Sequence, residues 1–302
     1  MPELPDITVY IEALEKRVLG RVLERVDIIS PFVLRTYEPP LGAASGKRCA
    51  GISRLGKRIV FELADDPLTA DRSPLFLVIH LMIAGRLHWF PAAPKINRKL
   101  TLAAFRFDNG ALTLTEAGSK RRASIHLVSG TAGLSEFGRG GLEPLEISLE
   151  QFAGRLRSEN HTLKRSLTDP RLFSGIGNAY SDEMLHRAKL SPLLLSSKIS
   201  DEQIAALYAA VQDVLREWIE RLRAEAGDNF PEKVTAFRPE MAVHGKYQQP
   251  CPVCGVPVQR IRYADNETNY CARCQTGDRL LADRALSRLL KGDWPKSIDE
   301  LL

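Results

Sequence analysis

Apolar residues recur at helical spacing at Ile7, Ile11, Leu14 and Val18 behind Pro5, which predicts an amphipathic helix beside the N-terminus. From about Val22 to Val128 the pattern changes. Short β-branched and apolar runs at Val60–Leu63, Leu75–Leu81, Leu102–Phe107, Ala111–Thr115 and Ser124–Val128 predict strands, and Asn109-Gly110 between two of them is a hairpin signal. The segment reads as an antiparallel sandwich or barrel. Five glycines between Ser129 and Ile147 (130, 133, 138, 140 and 141) predict a hinge. Helical signals then return. Ser148-x-x-Gln151 and Ser200-x-x-Gln203 both fit the capping box, and Ile204, Leu207, Val211, Leu215, Trp218 and Leu222 line one face of a long helix behind the second. The last segment, Arg279–Leu302, predicts a helix with Leu281, Ala285, Leu286, Leu289 and Leu290 on one face, interrupted at Trp294-Pro295.

Composition narrows the classes. At 302 residues the chain has room for about two domains. Its 44% hydrophobic and 26% charged residues exclude a disordered or fibrous protein. No run approaches the ~18 apolar residues of a membrane span. Glu3 and Asp6 near the start do not fit a secretory signal, so the expected location is the cytoplasm, with nucleoid association in a bacterium. A net charge of +5 tilts weakly toward polyanionic partners and decides little alone.

The cysteines say more. Cys251, Cys254, Cys271 and Cys274 form C-x2-C-x16-C-x2-C, with Cys49 left over as a core thiol. In a reducing compartment this spacing reads as one tetrahedral zinc site, and Pro252 and Gly255 are turn residues suited to a C-x2-C knuckle. Four thiolates leave no open coordination position, so the metal is structural.

Three further groups could carry chemistry. A small residue after Met1 permits removal of the initiator, which would leave Pro2 as a terminal secondary amine. Such an α-amino group titrates near ~8 and is a usable nucleophile at neutral pH. Attack on a sugar or carbonyl carbon would give an iminium, with Glu3 one residue away as general acid or base. By themselves, the residues Pro2-Glu3-Leu4-Pro5 read more readily as a rigid lead-in to the helix than as a nucleophile. In Ser174-Gly175-Ile176-Gly177-Asn178, paired glycines at a helix start would let a phosphate approach backbone N–H groups, and a tight helix–helix turn explains them as well. Gly56-Lys57-Arg58 and Lys120-Arg121-Arg122 are basic clusters of a kind common on solvated faces. The histidines at 80, 126, 161, 186 and 244 have no recognisable partner in the sequence and read as structural or surface positions.

Taken together, the Pro2-Glu3-Leu4-Pro5 start, Lys57 after a glycine and before a strand, the GIGNAYSDE segment at 175–183 and the terminal CPVCG…YCARCQ pattern resemble the formamidopyrimidine-DNA glycosylase/endonuclease VIII family, in family order from residue 1 to about 275. The resemblance implies an α+β multidomain fold. A β-sandwich with a flanking helix would span 1–128, a glycine-rich hinge 129–147, a helix–two-turn–helix domain 148–246, a zinc ribbon 247–277 and a helical extension 278–302. It implies a DNA repair glycosylase with abasic-site lyase activity. Pro2 would attack C1′ of a flipped-out damaged nucleotide, Glu3 would shuttle protons, Lys57 would hold a phosphate, and β- then δ-elimination would cut the strand. Gly177, Asn178, Lys120, Arg121 and Arg122 would contact the DNA, duplex or single-stranded, and the protein would act as a monomer with one structural zinc. The alternatives are a non-catalytic damaged-DNA-binding protein and an RNA-binding module.

The chain also departs from the family pattern, and most of the departures bear on substrate. The place of the zinc-hairpin arginine is Asn266, with Arg260 and Arg262 nearby. The residues that fill the duplex after base flipping correspond to Ile83, beside Met82, and to Arg122-Ala123, where an alanine cannot wedge base pairs. These changes predict weaker opposite-base discrimination and relatively better activity on single strands. The segment Asp228–Lys233, at the place of a lesion-capping loop, is short and argues against a dedicated 8-oxoguanine reader. Asp6 stands where the family has glutamate, and the chain runs more than twenty residues past the second cysteine knuckle.

Overall fold

The computed structural model describes residues 1–65, 74–118, 120–232, 234–263, 266–283 and 288–301. The chain divides into two compact units. The first comprises 1–139 with 218–235, and the second comprises 140–217 with 236–302.

The first unit is a β-sandwich with a flanking helix. Helix α1 (Leu4–Val18) starts where Glu3 and Asp6 exchange side-chain and backbone bonds across its first turn, and buries Ile7, Tyr10, Leu14 and Val18. Eight antiparallel strands follow: β1 (Val22–Ile28), β2 (Lys47–Leu55), β3 (Arg58–Ala64), β4 (Leu75–His80), β5 (Gly85–Phe90), β6 (Thr101–Phe107), β7 (Gly110–Glu116) and β8 (Ser124–Ser129). They join in the order β5-β7-β6-β1-β2-β3-β4-β8. The β1–β2 joint is brief, pairing Val22 with Arg48 and Leu23 with Lys47, so two four-stranded halves fold over one another there. Phe105 and Leu112 from one half meet Phe61, Ile79 and Leu127 from the other in a single core. Cys49 is buried in it.

One local prediction is corrected. The β6–β7 hairpin turns on Asp108-Asn109, because Gly110 already pairs with Phe107. A Cβ at Gly110 would lie 2.5 Å from the Phe90 carbonyl oxygen and from the Trp89 ring, so this glycine serves close approach rather than the turn itself. Part of the glycine-rich stretch at 129–147 is helical, α2 (Gly130–Ser135), packed against β8.

In the second unit, both predicted capping boxes form. Ser148 and Gln151 cap α3 (Leu149–Arg157), and Ser200 and Gln203 cap α6 (Asp201–Ala226), whose turns from Trp218 onward belong to the first unit. Between them lie α4 (Leu163–Thr168) and α5 (Asn178–Arg187). A hairpin of β9 (Gln259–Tyr263) and β10 (Asn266–Tyr270), then α7 (Ala272–Thr276), make the ribbon.

The C-terminal extension differs from the single helical face predicted for it. Ala285 and Leu286 lie outside the described residues. Leu281 is buried in the ribbon core while Leu289 and Leu290 are exposed. The tail is instead held by Ile298, fully buried in the ribbon core that also contains Cys271, and by main-chain bonds from Leu280 N to Lys296 O and from Ile298 N to Asp278 O. No helix among the described residues is long and apolar enough to cross a membrane.

Candidate functional site

In the first unit the N-terminus lies against α1. Pro2 is buried, and Glu3, the N-cap residue, is 2% exposed. Asp6 Oδ2 accepts the Glu3 N–H at 2.9 Å, which fixes the backbone one residue from Pro2. A carboxylate at this position also faces the positive end of the helix dipole. Burial pulls the terminal amine of Met1 below its ordinary range. Glu3 opposes that shift, as does Asp6, while Arg86 and Lys57 reinforce it. The geometry therefore gathers the chain start, Glu3, Asp6, Arg86 and Lys57 into one electrostatic neighbourhood.

Lys57 is presented by a tight hairpin. Leu55 pairs with Arg58, and Gly56 takes a left-handed φ of 64° as the first of the two turn residues. Next to it, burial together with the charges of Arg58, Lys57 and His126 pushes His80 down to about 4, so the ring is neutral at pH 7. Arg58 in turn lies over the Phe137 ring, 5.7 Å from its centroid. Nothing along the chain links residue 80 to residue 57; the β3–β4 pairing of Arg58 with His80 does so.

Two loops on this unit carry the remaining predicted contacts. In the turn after β4, Met82 adopts a left-handed φ of 52° and Ile83 projects, 56% exposed. Gly85 N closes the turn on Leu81 O at 2.9 Å, where any Cβ would strike that carbonyl. Arg86 Nη1 donates to Gly85 O at 2.7 Å and to Ile83 O at 3.2 Å. Lys120, Arg121 and Arg122 are exposed on the loop after β7. Its anchor is the buried Glu116 carboxylate, which accepts the N–H groups of Arg122 and Ala123 at 2.9–3.0 Å. Glu116 was invisible as a functional candidate, since a glutamate ending a strand carries no sequence signal. Ala123 is 3% exposed and belongs to the core.

The short 228–235 segment is fastened down in the same unit. Phe230 packs 5.6 Å from the Tyr10 ring, Arg17 covers it, Val234 is buried, and His88 Nδ1 meets Glu232 at 2.5 Å. Lys233 lies outside the described residues.

The second unit holds the other candidates. Gly177 is the N-cap of α5, and Asn178, the first helical residue, donates through Nδ2 to the carbonyl of Glu267 on β10 at 2.7 Å. Asn266 is exposed at the start of that strand, opposite Tyr263. Below this contact is a buried polar network. Asp182 receives Lys164 Nζ at 2.5 Å, His244 Nδ1 at 2.8 Å and Asn269 N at 3.1 Å. Glu183 accepts the N–H groups of Ala242, Val243 and His244. Lys164 also donates to Asn178 O at 2.6 Å, so α4, α5, the hairpin and the 242–244 segment are locked together. His244 thus has a partner that the sequence did not reveal.

Cys251, Cys254, Cys271 and Cys274 converge, with every pair of sulfurs within 4.8 Å. Tetrahedral zinc with bonds of ~2.3 Å requires sulfur separations of ~3.8 Å. The observed 3.9 Å for Cys251–Cys274 and 3.4 Å for Cys254–Cys271 fit that metal. His186 Nε2 lies 3.3 Å from Cys251 Sγ, the position of a second donor to a ligating thiolate. All four ligands are protein sulfurs, so the zinc is structural.

Comparison with known proteins covers all these parts. Residues 1–123 match the formamidopyrimidine-DNA glycosylase N-terminal domain, 141–227 the formamidopyrimidine-DNA glycosylase H2TH domain, and 248–277 the zinc finger found in FPG and IleRS. A formamidopyrimidine-DNA glycosylase of Desulforamulus reducens is 31% identical over 294 residues, spanning 91% of this chain and 99% of the relative. An uncharacterized formamidopyrimidine-DNA glycosylase-like protein of Mycobacterium tuberculosis is 40% identical over 151 residues, 50% of this chain and 94% of the relative. Among solved structures, the complex between Lactococcus lactis Fpg and an abasic site containing DNA superposes with a TM-score of 0.76 at 26% identity, over 91% of this chain and 99% of that one.

Proposed function

The chain belongs to the formamidopyrimidine-DNA glycosylase family, and from that premise we propose that it excises oxidised or ring-opened bases and then cuts the DNA at the resulting abasic site. The observation that carries this reading is the chain start, where Glu3 is buried at the N-cap of α1, one residue from Pro2, and the charge of Lys57 is felt at the Met1 amine.

With Met1 removed, the Pro2 nitrogen lone pair forms a bond to C1′ as the bond from C1′ to the base breaks. The base leaves with the pair of the C1′–base bond and takes up a proton; the Pro2 nitrogen then gives up its own proton, and its lone pair expels O4′, which takes up a proton as the sugar ring opens to the iminium. A secondary amine makes an iminium that has no N–H proton to lose, so it keeps drawing electrons from C2′. Loss of the C2′ proton expels the 3′-phosphate oxygen, and a further elimination expels the 5′-phosphate. Glu3 is the proton carrier for these steps, and Asp6 fixes its backbone. Lys57, beside a neutral His80, holds a phosphate near the lesion. Arg121 and Arg122 contact the backbone from the loop anchored by Glu116, with Lys120 beside them. Asn178 and the N-terminus of α5, with Gly177, bind a further phosphate.

Substrate choice follows from the departures. Ile83 is 56% exposed and in this reading enters the duplex, while Ala123 is sunk in the core, so the opposite strand is read weakly. The 228–235 segment is tied to the sandwich by Phe230 and Glu232 rather than extended over a base. Oxidised pyrimidines and ring-opened purines, on duplex or single-stranded DNA, are the substrates that suit this arrangement, and the protein works as a monomer.

Borohydride trapping tests the mechanism. Zinc-loaded protein whose N-terminal mass shows Pro2 exposed is mixed with an oligonucleotide bearing one abasic site. A covalent adduct that disappears in Pro2→Gly protein with a blocked amine is the expected result. Binding of that DNA without any adduct would leave a damage-binding protein and overturn the lyase assignment. On the same oligonucleotides, tight opposite-base selectivity with strong duplex preference would overturn the substrate reading.

A further inference from the structure

The residue that opens the second strand of the zinc hairpin, Asn266, is uncharged and exposed. We propose that Arg260, on the neighbouring strand, is the cation that this hairpin delivers to the DNA phosphate held at Asn178. The inference rests on the reading of Asn178 and α5 as a phosphate site.

Strand register puts Arg260 opposite Asn269 and Arg262 opposite Glu267, so all four side chains belong to one face of the two-stranded sheet. On that face the Asn269 side-chain amide Nδ2 donates to Asp182 of α5 at 3.4 Å and to Glu267 Oε1 at 3.2 Å, while the Glu267 main-chain carbonyl accepts Asn178 Nδ2. The face bearing Arg260 is therefore the one docked on the helix whose first residue is Asn178.

Arg260 is also prepared in a way Arg262 is not. Its guanidinium lies 4.0 Å from the centroid of the Tyr247 ring, a stacking contact that limits its rotamers and so reduces the entropy lost on binding. Its charge faces Glu267, the residue that Asn178 touches, at 3.6 Å. That distance exceeds a hydrogen bond, and both side chains keep 28% of their surface exposed, so the pair is weak and exchangeable. A phosphate offers two oxygens to the fork of the guanidinium and displaces the carboxylate. Arg262 is exposed, and its described bond is made by its backbone N–H to Asp283. Among the other described cations of the ribbon, Arg273 is occupied by Asp278 and Asp299, and Lys246 by the Pro239 carbonyl.

The test measures binding rather than turnover. The probe is a labelled duplex with one tetrahydrofuran abasic analogue, which cannot form an iminium, titrated with full-length zinc-loaded protein between 50 and 200 mM salt. Arg260→Ala should weaken binding about tenfold and lower the slope of log affinity against log salt by about 0.9, the signature of one phosphate contact. Over that salt range its deficit against the parent then shrinks about 3.5-fold. Arg262→Ala should leave the slope unchanged. Glu267→Gln, which keeps shape and removes the resident carboxylate, should tighten binding several-fold, and this gain should vanish in the Arg260→Ala background.

An unchanged slope in Arg260→Ala protein with one zinc per chain would overturn the proposal. So would a Glu267→Gln effect of equal size in both backgrounds, a measurement that stands even if Arg260→Ala protein proves unstable. If Asn178→Ala protein binds the probe as the parent does, the phosphate reading of α5 fails instead.

Discussion

Replacing Asp182 by alanine tests whether the polar network under α5 is what holds the hairpin in place. The Asp182 side chain has no exposed surface, and it faces Lys164 Nζ at 2.5 Å, His244 Nδ1 at 2.8 Å and the Asn269 N–H at 3.1 Å. Lys164 is itself nearly buried, so truncation leaves an ammonium and two further donors without their acceptor. Removing one partner of such a pair costs about 3–5 kcal/mol, far more than the pair contributes over an apolar substitute. Because the chain divides into two units, one denaturation midpoint would blend them, and local hydrogen exchange is the suitable readout. The informative amides are those of Val243 and His244. They donate to Glu183, not to Asp182, and respond only if the network is cooperative. A cost of 3 kcal/mol is a fall in protection of about two powers of ten. Adding Lys164→Met to the alanine variant removes the stranded charge and should recover at least half of the loss. A change below threefold at both amides, or no recovery in the double variant, would refute the idea that this ion cluster couples α5 to the ribbon.

Three further outcomes follow from the geometry. His80 is held near 4 against an ordinary ~6.5, so between those values the unfolded chain binds more protons; the associated stability is full above about pH 6.5 and is lost as pH falls toward 4, by about 2–3 kcal/mol. An NMR titration of the imidazole with no inflection above pH 5 is expected, and His80→Gln should flatten the acid limb of the stability curve. Ile298→Ala should loosen the tail by about 2–4 kcal/mol and speed zinc release to a colorimetric chelator, whereas unchanged release would show that the tail does not brace the ribbon. Chelation should remove one zinc per chain and erase protection of the β9–β10 amides while leaving those of β3 and β4 intact, because the metal's folding energy is confined to the ribbon.

Most of the frame was legible because it is written locally. The helix at the start, both capping boxes and the cysteine spacing depend on residues within a few positions of one another, and each formed as the chain predicts. The tail shows the opposite case. A leucine periodicity through 281–290 suggested one buried face, yet what fastens the extension is Ile298 meeting a ribbon core that exists only after the cysteines converge. Gly110 reads as a turn residue in the sequence for a related reason: its requirement comes from Trp89 and Phe90 on another strand.

The candidate site divides along the same line. Pro2, Glu3 and the four cysteines announce themselves by residue type and position, whereas the residues that hold them do so through contacts spanning tens of positions. Glu116 fixes a basic loop by accepting two backbone N–H groups, and His80 reaches Lys57 only through strand pairing. Asp182 and Glu183 sit in plain view within the helix-start motif, but a motif reports that they are acidic, not that one faces a lysine and the other three amides. Arg260 is the sharpest instance. Counting back from Tyr270 locates the neutral Asn266 and suggests a missing charge, while register and the stack on Tyr247 put a guanidinium beside the residue that Asn178 touches. A phosphate site needs positive charge at a place in space, and a hairpin can supply it from either strand. The loss of an arginine at one position in a motif is therefore weak evidence for loss of the contact.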